Sequence, residues 1–587
     1  MMPATTDTLT HALARTIVAR PVAEQQLAKL AGVSHPVLRR IFAGRRVAGE
    51  DELDTSLSGL QRPAALLGMD AAVALLAGAL ERAESILVVG DFDADGATSS
   101  ALMVSVLRAM GAANVGYLVP NRFEYGYGLT PEIVEVARAR GPRLIVTVDN
   151  GISSLAGVAA ARAHGIRVLV TDHHLPGEAL PAADAIVNPN QPDDTSPSKA
   201  LAGVGVAFYV LMALRAQLDA AGWFERRGLA RPNLADYLDL VALGTVADLV
   251  PLDRNNRILV QQGLLRIRAG RCRPGIQALL EVAGRDRARV VASDFGFAVG
   301  PRLNAAGRLD DMSHGIECLL SEDRGQAARL AQRLDALNRE RREIETDMKQ
   351  QAIEVIEHLH LDVSSLPPGF CLYDADWHQG VIGILAARIK ERFHRPVIAF
   401  ARGAAGEVKG SARSIPGLHI RDTLDAIAAR HPQLLQKFGG HAMAAGLTLA
   451  EPDLPAFERA FHAELRRRVD AETLQGVLET DGELGDADFD LGFSELLRDA
   501  GPWGQGFPEP LFEGVFTVLS QRIVGAAHFK LTVQPQGSGR VLDAIAFHQA
   551  GQPPPVGQRL RLVYRLDSNA YRGLLSVQLL VEHIEWL

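Results

Sequence analysis

The sequence predicts a multidomain α/β protein: a parallel-sheet unit, a long connecting helix, a second α/β unit and a small C-terminal β-barrel. Three observations predict it. Between Ser85 and about Asn188, short β-rich apolar runs alternate with helical stretches, the rhythm of a parallel sheet. From Glu322 to about His360, a highly charged stretch keeps Leu330, Leu334, Leu337 and Ile344 at helical spacing. From about Glu479 the chain alternates apolar and polar residues, as in Leu560–Arg565 and Leu574–Val581.

In chain order, residues 1–60 read as an Arg-bearing helical segment (Arg39, Arg40, Arg45, Arg46). Residues 61–285 form the first α/β domain, with strands expected at Ile86–Gly90, Val115–Val119, Leu144–Val148, Arg167–Thr171 and Ala185–Val187. Helices are expected over Ser99–Met110, Pro131–Arg140 and Tyr237–Val250. Residues 286–360 are an interdomain segment and the long helix, and Pro367-Pro368-Gly369 marks the next boundary. Residues 361–467 are the second α/β unit, and residues 468–587 hold the barrel. There is no internal repeat.

Composition sets few limits. With 61 Lys+Arg against 69 Asp+Glu the formal charge is −8, and this neither supports nor excludes a nucleic-acid partner, because only the groove meeting phosphate must be positive. The three cysteines, Cys272, Cys318 and Cys371, are far apart, so neither a disulfide framework nor a zinc knuckle is expected. The N-terminus has no secretory pattern, and the most membrane-like run, Ala64–Leu80, carries Asp70 and reads as a buried helix. A cytoplasmic protein without a membrane partner is expected, monomeric by default.

In parallel sheets, ligands sit beyond the carboxyl ends of strands. Ile86–Gly90 runs directly into Asp91-Phe-Asp93-Ala-Asp95-Gly96, Leu144–Val148 into Asp149-Asn-Gly151, and Val168–Thr171 into Asp172-His173-His174. A later helix carries Asp248. Carboxylates with imidazole and no thiolate favour manganese or magnesium. Clustered acids repel unless divalent cations neutralise them. Two such ions about 3.5–4 Å apart can clamp a phosphoryl transfer and lower the pKa of bound water. Blander readings exist for each motif. Asp-x-Asp-x-Asp-Gly also opens an EF-hand loop, but here a strand precedes it and the twelfth residue is Leu102 rather than Glu. Asp149 alone reads as a helix cap, and Asp172-His173-His174 alone as a turn with surface histidines. Their coincidence at three strand ends favours one site. Gly203-Val-Gly205 opens like a dinucleotide fingerprint, but Phe208 stands where the third glycine belongs, so a packing role is expected.

These segments resemble the DHH phosphoesterase family, most closely its single-strand-specific exonuclease branch. The resemblance covers roughly residues 30 to 587. It is carried by Gly90–Gly96, Val119–Gly128, Thr147–Gly151, Asp172–His174 and Ala242–Asp248. Further matches are Gly300–Arg308, Trp377–Gly380, Lys409–Ser414, Phe438–His441 and Gly501–Pro510. Departures are few: Phe507 stands where Asn is common and Phe92 where Tyr is common. The resemblance implies a DHH catalytic domain, a DHH-associated domain and an OB-fold. It further implies that Asp93, Asp95, Asp149, His173 and Asp248 hold two divalent cations, Mn2+ or Mg2+, with Asp149 bridging. His174 would lie beside them as ligand or substrate contact, while Asp91 would be a ligand or would orient the loop. Ser411, Arg413 and Arg122 would hold a terminal 5′ phosphate, since guanidinium binds phosphate bidentately. Arg302 and Arg308 would line the groove, His378 would face the nucleotide, and His441 would contact the scissile phosphate. Standing alone, Arg122 and Arg413 read as ordinary surface ion pairs, and His441, after two glycines, as a turn residue.

The implied activity is two-metal 5′-to-3′ exonucleolytic hydrolysis of single-stranded DNA, releasing 5′ mononucleotides in DNA repair and recombination. Single-strand-binding protein and a helicase would be partners. The OB-fold is thin in aromatics (Phe529, Phe547), so backbone electrostatics are expected to outweigh stacking there. Two alternatives stand: a small-molecule phosphodiesterase or oligoribonuclease with the same metal chemistry, and a non-catalytic DNA-binding relative.

Overall fold

Strands that are apolar on both faces need helices on both sides, and the first sheet obeys this. Ile86–Gly90 and Leu144–Val148 are buried along their whole lengths. The computed structural model describes residues 15–120, 128–358, 366–404, 406–470, 473–525, 528–547, 553–571 and 574–587. These form two compact units.

The first unit comprises Val22–Asn338 with Gly492–Glu509. Its five strands are all parallel, in the order Val115–Leu118, Ile86–Gly90, Leu144–Val148, Arg167–Thr171, Ala185–Val187. The order reverses between Ile86–Gly90 and Leu144–Val148. Segments leaving these two neighbours diverge, which opens a crevice beyond their carboxyl ends. Helix Gly203–Ala220, long and apolar enough for a membrane span, is 61% buried and packs beside Leu144–Val148 and Ala94–Ala109. Residues 286–338, expected between domains, lie within this unit. So does Gly492–Glu509, where Trp503 stacks on Phe507 at 5.1 Å and Arg257 lies 4.4 Å over the Phe507 ring. The long helix spans Arg324–His358, with Leu334 and Leu337 buried.

The second unit contains residues up to Pro21, Arg339–Leu491 and Pro510–Leu587. The helical expectation for residues 1–60 fails at Thr16–Ala19, a strand parallel to Val477–Thr480. Its β-branched Thr16, Ile17 and Val18 favour an extended backbone. A five-stranded sheet runs Lys437–Gly440, Ala444–Ala450, Glu407–Arg413, Val397–Arg402, Phe370–Tyr373. Helix Ile382–Phe393 contributes Leu385, Ala386 and Ile389 to the core on one face, and Phe457 and Phe461 of helix Leu454–Arg468 fill the other. The C-terminal strands close into a barrel in the order Phe512–Val524, His528–Pro535, Leu542–Ala546, Leu574–Trp586, Arg559–Tyr571, with Leu542–Ala546 parallel to Leu574–Trp586. That is the five-stranded OB arrangement. Phe529 is buried at 3% exposure in this barrel and offers no stacking face, whereas Phe547 is 49% exposed.

Candidate functional site

Asp93 caps helix Ala94–Ala109, its Oδ1 accepting from the backbone N–H groups of Asp95 and Gly96 at 3.0 Å. The loop is fixed from the other side by Asn304, whose Oδ1 accepts from the Ala94 N–H at 2.7 Å. Asp149 leaves the neighbouring strand at φ 61°, a left-handed conformation that Asp tolerates better than most residues. It stands at the point where strand order reverses.

Asp172 is a positioning residue rather than a cation donor. Its Oδ1 accepts from the backbone N–H groups of His173 and His174 at 2.7 and 3.1 Å and lies 2.8 Å from His174 Nδ1, while its Oδ2 accepts from Ile152 N–H at 2.9 Å. This orients the His174 ring and fixes the backbone of His173.

Asp248 follows helix Leu238–Ala247, and Gly244 brings that helix close. A methyl on Gly244 would lie 2.2 Å from Thr98 Oγ1 and 2.8 Å from Asp95 Oδ1. His173 Nε2 lies 3.0 Å from Asp149 Oδ1 and 3.4 Å from Asp248 Oδ2. Three ligand groups result, each with donor atoms within 4.8 Å of one another: Asp149, His173 and His174; Asp95, His173 and Asp248; Asp91, Asp93 and Asp149. Asp149 and His173 each recur in two groups; a carboxylate offers two oxygens, whereas His173 Nε2 offers a single lone pair. Asp91 and His174, whose roles the sequence left open, each fall in a group that could hold a metal.

The electrostatics fit cations. Burial, followed by repulsion from Asp93, raises Asp95 to about 7, and burial with the neighbouring carboxylates raises Asp149 and Asp248 well above the usual range. So many buried acids cannot all ionise unless positive charge sits among them. The donor set is oxygen-rich with imidazole and no thiolate, as Mn2+ or Mg2+ prefers. Burial disfavours a charged His174, but its bond to Asp172 and the charges of Asp91 and Asp93 prevail and raise its pKa.

The motif set aside as packing belongs to this site. Gly203 N–H donates to Asp95 Oδ2 at 2.6 Å and Val204 N–H to Oδ1 at 3.0 Å, so the N-terminus of helix Gly203–Ala220 grips that carboxylate. Only glycine fits, because a Cβ at 203 would meet Asp149 Cβ at 2.6 Å. The sequence signal was there, a glycine pair opening an apolar helix, but the strand that a dinucleotide motif requires is missing.

In the second unit, Ser411 and Arg413 lie on strand Glu407–Arg413. Arg413 Nη1 donates to Ser411 Oγ at 3.1 Å and to the Ala412 carbonyl at 2.8 Å. Burial lowers its pKa, and among the described residues its partners are neutral oxygens. A methyl on Gly383 would lie 2.8 Å from Arg413 Nη2 and 2.9 Å from Ser411 Oγ, so the first turn of helix Ile382–Phe393 abuts both. A half-buried guanidinium, a hydroxyl and a helix N-terminus together suit a phosphate. His378, just before that helix, accepts the Gly380 N–H at Nδ1, 3.1 Å away. His441 is exposed after strand Lys437–Gly440, and Arg413 pairs with Ala444 across the sheet, which places both at one sheet end.

Arg302 is not a groove residue: on helix Gly300–Leu309 it is buried, 2.8 Å from Asp335 and bonded to the Ala298 carbonyl at 2.7 Å. Ala305, Ala306 and Leu303 supply this segment's helix propensity and apolar packing. Arg308 is half-buried on the same helix. Arg122 lies outside the described residues.

Residues 85–245 match the model of the DHH family N-terminal domain, 365–467 that of the DHHA1 domain, and 480–583 that of the RecJ OB domain. The single-stranded-DNA-specific exonuclease RecJ of Dickeya dadantii is 58% identical, over 96% of this chain and 98% of its own length. The crystal structure of RecJ from Thermus thermophilus in complex with Mn2+ superposes with a TM-score of 0.77 at 30% identity, covering 97% of this chain and 79% of that one. The same protein in complex with Mg2+ gives 0.73 at 28% identity, covering 97% and 78%. Fold, site and relatives agree: the chain belongs to the RecJ single-stranded-DNA-specific exonucleases of the DHH family.

Proposed function

We propose that the protein is a metal-dependent exonuclease that hydrolyses single-stranded DNA from its 5′ end and releases 5′ mononucleotides. The convergence of acids and imidazoles from three parallel strand ends and one helix end carries this reading. Asp93, Asp95, Asp149, His173 and Asp248 would hold two divalent cations, Mn2+ or Mg2+, with Asp91 and His174 beside them. When bound, such ions polarise a phosphoryl oxygen and make water a better nucleophile. The chain's own contribution is placement. Asp93 caps the helix N-terminus with one carboxylate oxygen, Asp172 holds the His174 ring and the His173 backbone, and the Gly203–Val204 amides hold Asp95.

The polarity assignment is supported by Ser411 and Arg413, whose buried positive charge lacks a described carboxylate and suits a terminal phosphate. His378 and His441 contact the nucleotide chain. The same reading carries repair and recombination as the setting and single-strand-binding protein and a helicase as partners, which rest on resemblance, with a cytoplasmic monomer as the default. Turnover of a 5′-phosphorylated single strand, the matching duplex and a dinucleotide in Mn2+ tests it. The single strand is expected to be degraded fastest; preferential turnover of the dinucleotide would favour a small-molecule phosphodiesterase instead.

A further inference from the structure

Phe297 is the most exposed large apolar side chain among the described residues, at 75%. It lies in a π-helical turn, Phe295–Val299, a geometry that is rare and recurs at functional sites. Its neighbours Phe295, Ala298 and Val299 are buried, so the turn is anchored while Phe297 projects into water. The turn runs along the end of helix Leu238–Ala247. A methyl on Gly296 would lie 3.7 Å from Val246 Cγ1, and one on Gly300 would lie 3.1 Å from Ala247 Cβ. The next residue is Asp248, a member of the acid cluster. Leu249, after it, is 68% exposed and held at φ 61°, where a leucine is disfavoured. Strained backbone and a solvated aromatic beside a reactive centre are costs that folding alone does not explain.

We propose that Phe297 and Leu249 form a stacking subsite for a nucleobase of the single strand, beside the acids that hold the cations. The inference rests on the single-strand exonuclease reading above. A base suits the site because every base presents a flat π face, so an aromatic platform binds strands of any sequence. Two side chains are too small a patch for a protein partner, which needs roughly 1,000 Å² of buried surface. Bases in a duplex are already stacked on one another, so the platform favours an unpaired strand.

The test is steady-state hydrolysis, in Mn2+, of a 5′-phosphorylated strand carrying natural bases and of one with abasic residues near its 5′ end. Phe297→Ala should raise KM on the natural strand by about ten-fold, leave KM on the abasic strand unchanged, and regain most of the loss as Phe297→Trp. Leu249→Gly, which keeps the left-handed backbone, should shift KM in the same direction. An unchanged KM for Phe297→Ala on the natural strand, or an equal loss on both strands, overturns the subsite. Failure of the unaltered protein to hydrolyse either strand would instead overturn the exonuclease reading.

Discussion

Asp149 combines two costs in one residue: a left-handed φ of 61° and a buried carboxyl whose pKa is raised well above the usual range. Without cations it destabilises the fold. Asp149→Asn keeps a side chain that tolerates this backbone and removes the charge. In EDTA at pH 8 it should raise Tm by about 2–4 °C in a thermal melt while abolishing hydrolysis; a lower Tm would show that Asp149 is held by packing. The raised acids also fix the sign of the pH dependence. Between the ordinary carboxylate range and about 7, folded Asp95 keeps a proton that the unfolded chain has released. The metal-free protein therefore loses stability as pH rises through that window. Cations compete with those protons, so Mn2+ affinity should strengthen from pH 6 to pH 8, with protons released on binding. Titration calorimetry in two buffers of different ionisation enthalpy checks this, and a pH-independent affinity would contradict it.

At the level of elements, the strand ends were legible because alternation of apolar runs with helices fixes a parallel sheet, and a parallel sheet fixes where Asp93, Asp149 and His173 must point. What was not legible were contacts made by backbone. The amides of Gly203 and Val204 reach Asp95 across 108 and 109 residues of chain, and no side-chain pattern announces them. Gly203→Ala should push Asp149 and Asp95 apart and weaken Mn2+ binding by about ten-fold, read by calorimetry on protein with an unchanged circular dichroism spectrum. Arg302 was misread for a related reason: its partner Asp335 lies on a helix whose packing the local sequence does not reveal. Strand Glu407–Arg413 carries the other element-scale prediction. Arg413→Ala removes the half-buried guanidinium, and the preference for a 5′-phosphorylated over a 5′-hydroxyl strand should fall by about ten-fold or more. An unchanged preference would remove the phosphate assignment.

At the scale of the whole molecule, the succession of parallel sheet, long helix, second sheet and barrel was readable from period, while the compact units were not. Residues 286–338 pack with the first unit although they were expected between domains, and Thr16–Ala19 pairs with Val477–Thr480 although both are short and distant in sequence. Chain returns of this kind are set by tertiary burial, which local propensity does not encode. The central claim is that segments far apart in sequence assemble one cage for a pair of divalent cations acting on a DNA strand. Mn2+ titration of the intact protein and of Asp149→Ala, read in parallel with hydrolysis of a 5′-phosphorylated single strand, tests this most directly. Two bound ions and turnover in the intact protein, with both lost in the folded variant, is the predicted result. Retention of turnover by Asp149→Ala, or a single ion in the active protein, would contradict it.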